Sequence, residues 1–202
     1  MGSFGGVNVN AENLIQTVNL AKEKAFLEQN QFANHTKIID LGNDFRLTKD
    51  KVFDGKSFVY GLPELNKSAI KNAQFIANPG CFATAIQLAL LPLANNELLT
   101  TDVHINATTG STGAGVTPSE TTHFSWRSNN MSHYKAFEHQ HLGEINQSVN
   151  QLQTDYANEL IFVPNRGDFA RGIFATLYTT IEENLEDIVA KYEAFYKNQP
   201  FV

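Results

Sequence analysis

Residues 75–85 read FIANPGCFATA, which places the chain's one cysteine directly after an apolar run and a Pro-Gly pair. Residues 74–77 predict a short strand, and residues 82–91, apolar on nearly every side, predict a central buried helix. Cys81 then lies in the first turn of that helix, where unpaired backbone N–H groups and the helix dipole favour a thiolate over a thiol. This is a setting that suits a nucleophile, although an isolated cysteine is more often a buried apolar residue.

Upstream of this stretch the sequence predicts one helix, one strand and a long connection. Apolar residues recur every three or four positions over residues 10–25, which predicts an amphipathic helix with Asn10 as its cap. Residues 37–41 predict a short buried strand. Residues 42–63, polar and punctuated by glycine, predict a loop-rich connection. Residues 1–6 are expected to be a flexible join without regular structure.

Downstream of the buried helix the pattern changes to strands and amphipathic helices. Residues 103–107 and 173–181 alternate apolar and polar side chains, and residues 160–163 form a short apolar run, so all three predict strands. Apolar stripes at helical spacing predict one helix that starts near His141 and another over residues 185–195. Strands and helices in this order are typical of an α+β layer.

The two patterns together predict two domains. We expect residues 1–80 to form an α/β segment, the remnant of a Rossmann-like domain with a loop-rich connection. We expect residues 81–202 to form an α+β catalytic and dimerisation domain, with a mostly antiparallel sheet covered by helices.

Composition restricts the classes of partner. The formal net charge is -6 and the pI is near 5.5, without a run of basic residues, which argues against nucleic acid or an anionic membrane. The sequence has no 18-residue apolar segment, and residues 1–6 lack the features of a signal peptide, so we expect a cytoplasmic protein. A single cysteine forms no internal disulfide and gives no CxxC metal motif.

A second chemical signal is the segment that contains His139, His141 and Glu144. A metal site needs a third ligand, which neither a cysteine nor an HExxH motif supplies here, so no metal is expected. Proton transfer is the better interpretation, because a histidine near a thiolate can hold the thiol proton and later act on a substrate oxygen. Two exposed loop histidines are the plain alternative. Glu144 either orients His141 or caps the helix.

A third signal combines a glycine-rich loop with arginines. Residues 107–115 follow a predicted strand, and their glycines allow backbone N–H groups to face an anion, although such loops are more often plain connections. Arg127, Arg166 and Arg171 could receive a carboxylate or a phosphate through paired hydrogen bonds. For Arg166, surface ion pairing is an equally good interpretation.

Several of these segments together resemble one enzyme family. Residues 78–85 resemble the active-site signature of the N-acetyl-gamma-glutamyl-phosphate reductases of arginine biosynthesis. The likeness continues over residues 38–47 and 60–64, the glycine-rich loop and the His-x-His segment. It implies an oxidoreductase that uses NADP to reduce an N-acyl-gamma-glutamyl phosphate to the semialdehyde, with phosphate release, through a cysteine thioester. It also implies a catalytic domain like the C-terminal domain of glyceraldehyde-3-phosphate dehydrogenase, and a homo-oligomer, dimer or tetramer.

The resemblance assigns roles to individual residues. Cys81 is implied as the nucleophile and His141, the second histidine of His-x-His, as the acid or base. The family loop and its Arg-Gly-Ile strand entry add Ser111 and Arg171 for the substrate, and Gly110 and Gly113 for the cofactor. Two further substrate residues are predicted from their chemistry: Arg127, for its guanidinium, and Asn78, which would help to shape the turn before Cys81. The loop departs from the family pattern by carrying Thr109 and Thr112 where serines are usual, which keeps the hydroxyl groups.

Two family segments do not occur in these 202 residues. One is the strand with a Gly-x-x-Gly-x-x-Gly dinucleotide turn, and the other is an Asn-x-x-Lys-Gly-Ala-x-Gly-Gln segment that reaches the cofactor. We therefore expect this chain to fold but not to reduce substrate by itself. The alternatives are an aspartate-semialdehyde-type dehydrogenase, a thiol hydrolase, and a non-catalytic oligomerisation fragment.

Overall fold

The computed structural model describes residues 15–18, 23–33, 35–115 and 117–202. The strands are β1 Ile15–Val18, β2 Lys37–Asp40, β3 Val52–Phe53, β4 Lys56–Tyr60, β5 Phe75–Ala77, β6 Val103–Thr109, β7 Ser132–His133, β8 Leu160–Arg166 and β9 Ile173–Tyr178. The helices are α1 Glu23–Gln29, α2 Pro63–Asn72, α3 Cys81–Ala94, α4 Phe124–Arg127, α5 His141–Leu152 and α6 Leu185–Tyr196. The described residues divide into two compact units, the first ending at Asn78 and the second containing Pro79–Val202 and the short segment Leu62–Leu65.

The first unit is built on a five-stranded sheet in the order β1-β2-β5-β4-β3. Its first four strands run parallel, and β3 joins the edge as an antiparallel hairpin partner of β4. Ile38 of β2, Phe58 of β4 and Ala77 of β5 are buried in its core. A mainly parallel sheet with helical connections is the α/β arrangement that the sequence predicts.

The helix predicted from Asn10 is wrong over Ile15–Val18, which form the strand β1 beside β2. The first described helix begins only at Glu23. Three of these four residues are β-branched, a feature that favours strands over helices. Asn10 and residues 1–6 lie outside the described residues.

The connection predicted for residues 42–63 contains the hairpin of β3 and β4. Its turn is Asp54-Gly55, and both residues have positive φ, as a two-residue hairpin turn requires. Phe58 of β4 stacks on Phe45, with ring centroids 4.1 Å apart, which anchors the hairpin in the core. An Asp-Gly pair favours a two-residue hairpin turn, so this hairpin could have been predicted from the sequence.

The second unit is built on a four-stranded sheet in the order β7-β8-β6-β9. Two of its three pairings are antiparallel, and the central pairing of β6 with β8 is parallel. The inward side chains of this sheet pack with those of α3 and α5 into one core, which includes Phe82, Ile86, Ile105, Ile145 and Phe162. The sheet covered by helices confirms the predicted α+β class.

The buried helix α3 extends past its predicted end to Ala94 and contains Pro92. Proline has no N–H, so the Leu88 carbonyl, four residues earlier, loses its usual donor within the helix. The Tyr196 hydroxyl of α6 donates to that carbonyl at 2.5 Å, and the Tyr192 hydroxyl donates to the carbonyl of Ala89. The Tyr196 hydroxyl of α6 therefore replaces the donor that α3 lacks at Pro92, and Tyr192 adds a second contact between the two helices. Among the described helices, none is long and apolar enough to span a bilayer.

Candidate active site

Cys81 is the first residue of α3, and its side chain is exposed. Gly80 precedes it in an extended conformation, and no side chain caps the helix from that position. The Gly80 carbonyl accepts hydrogen bonds from the backbone N–H of Thr84, at 2.8 Å, and from its hydroxyl, at 3.0 Å. The predicted placement of the thiol at the start of a helix is confirmed.

His141 lies against Gly80, directly before the cysteine in the chain. A β-carbon at residue 80 would overlap the His141 imidazole, with Cδ2 and Cε1 only 2.6 Å away. The backbone angles of Gly80 suit any residue, so glycine is required here for space and not for conformation. The Pro-Gly turn therefore brings the backbone beside Cys81 into contact with the imidazole.

Glu144 links the same histidine to the turn. Its side chain is buried, and its Oε2 accepts the Gly80 N–H at 2.9 Å. Its Oε1 lies 3.8 Å from the His141 Nε2. The sequence left two roles open for Glu144, orienting His141 or capping its own helix. The structure places the carboxylate beside His141 and at the start of α3, where it receives a donor of the preceding turn.

His139 occupies an aromatic pocket. Its ring meets Phe82 and Phe162 edge to face, at 5.6 and 5.4 Å, and its Nδ1 accepts the backbone N–H of His141. Burial, and secondly the neighbouring His141, lower the pKa of His139 from 6.5 to about 4. Both histidines are buried, so the alternative of two exposed loop histidines is wrong. Within the described residues no three His, Cys, Asp or Glu side chains form a group that could hold a metal ion.

A cavity of about 530 Å³ opens beside Cys81. Three parts of the second unit form it: one face of α3, the end of β6 with the following loop, and the loop that leads into β9. Its lining residues are Cys81, Thr84, Ala85, Leu88, Thr109, Gly110, Thr112, Gly113, Ala170, Arg171, Gly172 and Ile173. The cavity thus brings together four residues that the sequence singled out, namely Cys81, Gly110, Gly113 and Arg171.

The glycine-rich loop does not offer its N–H groups to an anion. The N–H groups of Gly110, Ser111 and Thr112 donate to carbonyls of residues 169–172 at 2.8 to 3.3 Å, and that of Gly113 donates within the loop. A β-carbon at residue 110 would also collide with the backbone of Ala170. Gly110 therefore permits two loops to pack closely, and the predicted phosphate cradle is not supported.

Ser111 is fixed by the same pair of loops. Its hydroxyl donates to the Gly167 carbonyl at 2.7 Å, and Ser111 is not among the cavity residues. The hydroxyl-bearing residues that line the cavity are instead Thr84, Thr109 and Thr112. The prediction that Ser111 contacts substrate thus has no support in its position.

Arg127 was predicted to bind substrate, and the structure contradicts this. Its guanidinium is buried and makes five hydrogen bonds, to the carbonyls of Thr121, Asn130 and Arg166 and the hydroxyl of Ser132. A guanidinium has five N–H donors, so none is left for a ligand. Arg127 is a structural residue that ties the segment around α4 to the end of β8.

Arg171 and Arg166 are the two remaining candidate arginines, and their guanidinium groups are not fully engaged by protein acceptors as that of Arg127 is. Arg171 is exposed and lines the cavity, and within the described part of the chain its side chain has no hydrogen-bond partner. Arg166 lies over the Tyr134 ring, with its Cζ 4.5 Å from the ring centroid. Sequence reasoning missed Tyr134, because a lone aromatic residue between polar neighbours carries no functional signal.

Asn78 belongs to the first unit. Its N–H donates to the Asp40 carbonyl at 2.8 Å, and its own carbonyl accepts the Nε–H of the buried Arg46 at 2.8 Å. The residue is exposed, and both backbone groups are engaged at the end of the parallel sheet. These contacts fix the backbone three residues before Cys81.

The chain is similar to one protein family, to named reductases and to solved dehydrogenase structures. Residues 81–202 match the family model described as semialdehyde dehydrogenase, dimerisation domain. An N-acetyl-gamma-glutamyl-phosphate reductase of Flavobacterium johnsoniae is 69% identical, over 97% of this chain and 60% of its own length. The protein of that name from Christiangramia forsetii is 55% identical, over 96% of this chain and 60% of its own length. The fold is similar to aspartate semialdehyde dehydrogenase II from Vibrio cholerae, with a TM-score of 0.60 and 16% identity over 86% of this chain and 56% of that one.

The chain therefore spans 60% of the length of each of these two relatives. Their names confirm the resemblance predicted from residues 78–85, and the solved structure confirms the fold class. At 16% identity that structural likeness concerns the fold alone. Through the match over residues 81–202, the chain belongs to the semialdehyde dehydrogenase family.

Proposed function

We propose that the full-length protein reduces an N-acyl-gamma-glutamyl phosphate to the corresponding 5-semialdehyde, with NADP as the cofactor and with release of phosphate. The observation that supports this most is the exposed thiol of Cys81 at the start of α3, in a cavity that Arg171 also lines. Relatives at 69% and 55% identity carry the reductase name, which favours a glutamyl over an aspartyl substrate. We place the protein in arginine biosynthesis on the same resemblance, and the cytoplasm stays the expectation from the sequence.

The first step is acyl transfer to Cys81. Its Sγ attacks the acyl carbon, the bond from that carbon to the phosphate oxygen breaks, and phosphate leaves with the electron pair. The thiol proton passes to the His141 imidazole, which lies against the adjacent Gly80. The buried Glu144 carboxylate, 3.8 Å from Nε2, stabilises the imidazolium that results. The product of this step is a thioester on Cys81.

The backbone at the start of α3 stabilises the oxyanion of this step. N–H groups in the first turn of a helix have no acceptor within the helix, and they lie at the positive end of its dipole. The Gly80 N–H is already engaged by Glu144, so the groups available to the oxyanion are those of Cys81 and Phe82. One such donor contributes roughly 2.7–4 kcal/mol to transition-state stabilisation in comparable enzymes.

NADPH, when bound, supplies the hydride that reduces the thioester. The glycine-rich loop does not fit the pyrophosphate of that cofactor, since its N–H groups from Gly110 to Gly113 donate to protein carbonyls. The residues of this chain act in acylation and proton transfer. That this chain alone binds NADP weakly stays a prediction.

Activity of the full-length protein tests the proposal. Oxidation of N-acetylglutamate semialdehyde should require both inorganic phosphate and NADP, and Cys81→Ser should abolish it. Aspartate semialdehyde is the competing substrate in the same assay. Equal or better turnover of aspartate semialdehyde would contradict the proposal and indicate an aspartate-semialdehyde dehydrogenase. Hydrolysis of the N-acyl-gamma-glutamyl phosphate to the free acid and phosphate, with no NADPH consumed, would instead indicate a thiol hydrolase.

We also propose that the second unit mediates self-association into a homo-oligomer. The family description names a dimerisation domain. In β9 the residues Ile173, Ala175 and Leu177 pack toward the helices, while Phe174 and Tyr178 alternate with them and are exposed at 74% and 62%. Exposed aromatic side chains such as these favour an interaction surface, and a second copy of this chain is the partner that we assign to it.

A further inference from the structure

Arg166 lies at the carboxyl end of β8 with its guanidinium over the Tyr134 ring. Its Nε is buried and has no hydrogen-bond partner within the described residues. Its Nη1 makes a long contact of 3.4 Å to the Thr121 hydroxyl, and its guanidinium also interacts with the Tyr134 hydroxyl. A guanidinium that lies over an aromatic ring and is not paired with a carboxylate of the described residues is suited to bind an oxyanion.

The backbone of Arg166 is fixed beside the candidate site. It pairs with Thr109, the last residue of β6, and Thr109 lines the cavity that contains Cys81. The Arg166 carbonyl accepts a hydrogen bond from Nη1 of Arg127 at 2.7 Å. The buried Arg127 therefore holds in place the strand end from which the Arg166 side chain projects.

Tyr134 connects Arg166 to the nucleophile. Its ring meets His139 at 5.6 Å, and His139 in turn meets Phe82, the neighbour of Cys81. Burial raises the pKa of the Tyr134 hydroxyl, the positive charge of Arg166 opposes this, and negative charge at Cys81 adds to it. A series of ring contacts therefore leads from Arg166 through Tyr134 and His139 to the residue after Cys81.

We propose that Arg166, supported by the Tyr134 ring, binds an oxyanion of the acyl phosphate substrate while Cys81 reacts. This rests on the proposed function and deepens it, because of the three arginines considered from the sequence it assigns an oxyanion to Arg166. The oxyanion belongs either to the substrate carboxylate or to the transferred phosphate. Both groups accept the paired hydrogen bonds of a guanidinium.

The test is protection of Cys81 from iodoacetamide in the 202-residue chain, with two probes. Inorganic phosphate represents the leaving group, and N-acetylglutamine carries the carboxylate without the acyl phosphate. We expect one of them to slow alkylation of the wild-type chain, and Arg166→Gln to raise its half-protecting concentration by about 10- to 100-fold. Arg166→Lys keeps the positive charge but loses the paired donors of the guanidinium. Its half-protecting concentration should lie between those of the wild-type chain and Arg166→Gln. Lys197→Gln, which removes an exposed cation from the end of α6, should change nothing.

The identity of the protecting probe decides which oxyanion Arg166 binds. Protection that is equal in the wild-type chain and in both Arg166 variants, or absent in all of them, would overturn the proposal. Thermal unfolding of each variant identifies any that fails to fold. If Arg166→Gln does not fold, the half-protecting concentration of Arg166→Lys tests the proposal. The assay needs neither NADP nor turnover, so its outcome is separate from that of the reductase assay on the full-length protein.

Discussion

At the scale of single residues, the candidate site depends on which polar groups are already engaged. Cys81 and His141 carry signals in the sequence, because a thiol after a Pro-Gly turn and a His-x-His segment are unusual patterns. Arg127 and Arg166 look alike in the sequence, and only the structure shows that the first makes five hydrogen bonds while the second keeps donors free. Residue types can therefore be predicted as candidates, whereas their roles follow from contacts between distant segments.

Gly80→Ala should damage the site through the His141 imidazole. The new methyl group overlaps the ring, so either the histidine or the turn before Cys81 must move. We expect a loss of about 1–3 kcal/mol in the free energy of unfolding, which is the usual cost of overpacking. The alkylation rate of Cys81 should change as well. Both are measured by urea denaturation and by timed iodoacetamide labelling.

Gly113→Ala is the matched control, since its methyl group would meet only the Thr109 side chain, at 3.2 Å. We expect its free energy of unfolding to stay within about 0.5 kcal/mol of the wild type. Equal effects of the two substitutions would show that His141 does not lie against Gly80 as described.

His139 should make stability depend on pH. Its pKa is about 4 in the folded chain and near 6.5 when unfolded, so between these values the unfolded state binds more protons. Stability from this group is therefore fully present above pH 6.5 and is lost as the pH falls toward 4, by up to about 3 kcal/mol at 1.36 kcal/mol per unit. Urea denaturation at several pH values measures it. In His139→Gln this part of the pH dependence should disappear, and an unchanged slope in the variant would rule out His139 as its source.

At the scale of secondary structure elements, α6 compensates for the proline of α3. Tyr196→Phe leaves the Leu88 carbonyl without the donor that replaces the missing N–H of Pro92. We expect it to lower the free energy of unfolding by about 0.5–1.5 kcal/mol, the usual contribution of one hydrogen bond, because the Leu88 carbonyl is only partly buried. Tyr178→Phe removes the same hydroxyl group from an exposed ring and should cost less than about 0.5 kcal/mol.

A second substitution separates this mechanism from simple packing loss. Pro92→Ala restores an N–H that can reach the Leu88 carbonyl, so Tyr196→Phe should cost less in that background. If the two substitutions are additive, the tyrosine hydroxyl does not act through the Leu88 carbonyl.

The elements of the second unit were more predictable than those of the first. Strands β6 and β9 alternate cleanly and α5 and α6 carry apolar stripes, because one face of each packs on a single core. Strand β1 has only four residues, and the strand β2 with which it pairs lies about twenty residues further along the chain. The spacing of apolar residues over residues 10–25 therefore predicted a helix where a strand forms. The hairpin of β3 and β4 was missed for another reason: the surrounding polar residues hid the Asp54-Gly55 turn.

At the scale of the whole molecule, the outer face of β9 is the surface that we assign to self-association. Phe174→Asp should shift the chain toward monomer in sedimentation velocity, because a carboxylate would be buried against the partner copy. Leu185→Asp alters an equally exposed apolar residue, 76% accessible, on the helix α6. It should leave the oligomer intact. Dissociation by Leu185→Asp but not by Phe174→Asp would place the interface on the helical side.

The most direct test of the central claim is acylation of this chain by an N-acyl-gamma-glutamyl phosphate, followed by intact-mass spectrometry and phosphate release. We expect one acyl group per chain, located on Cys81, with one phosphate released, and none in Cys81→Ser. His141→Asn should slow the reaction by about 10²- to 10⁴-fold, the usual contribution of a positioned acid or base. An adduct on another residue, or no adduct while iodoacetamide still reaches Cys81, would contradict the account of Cys81 as the nucleophile.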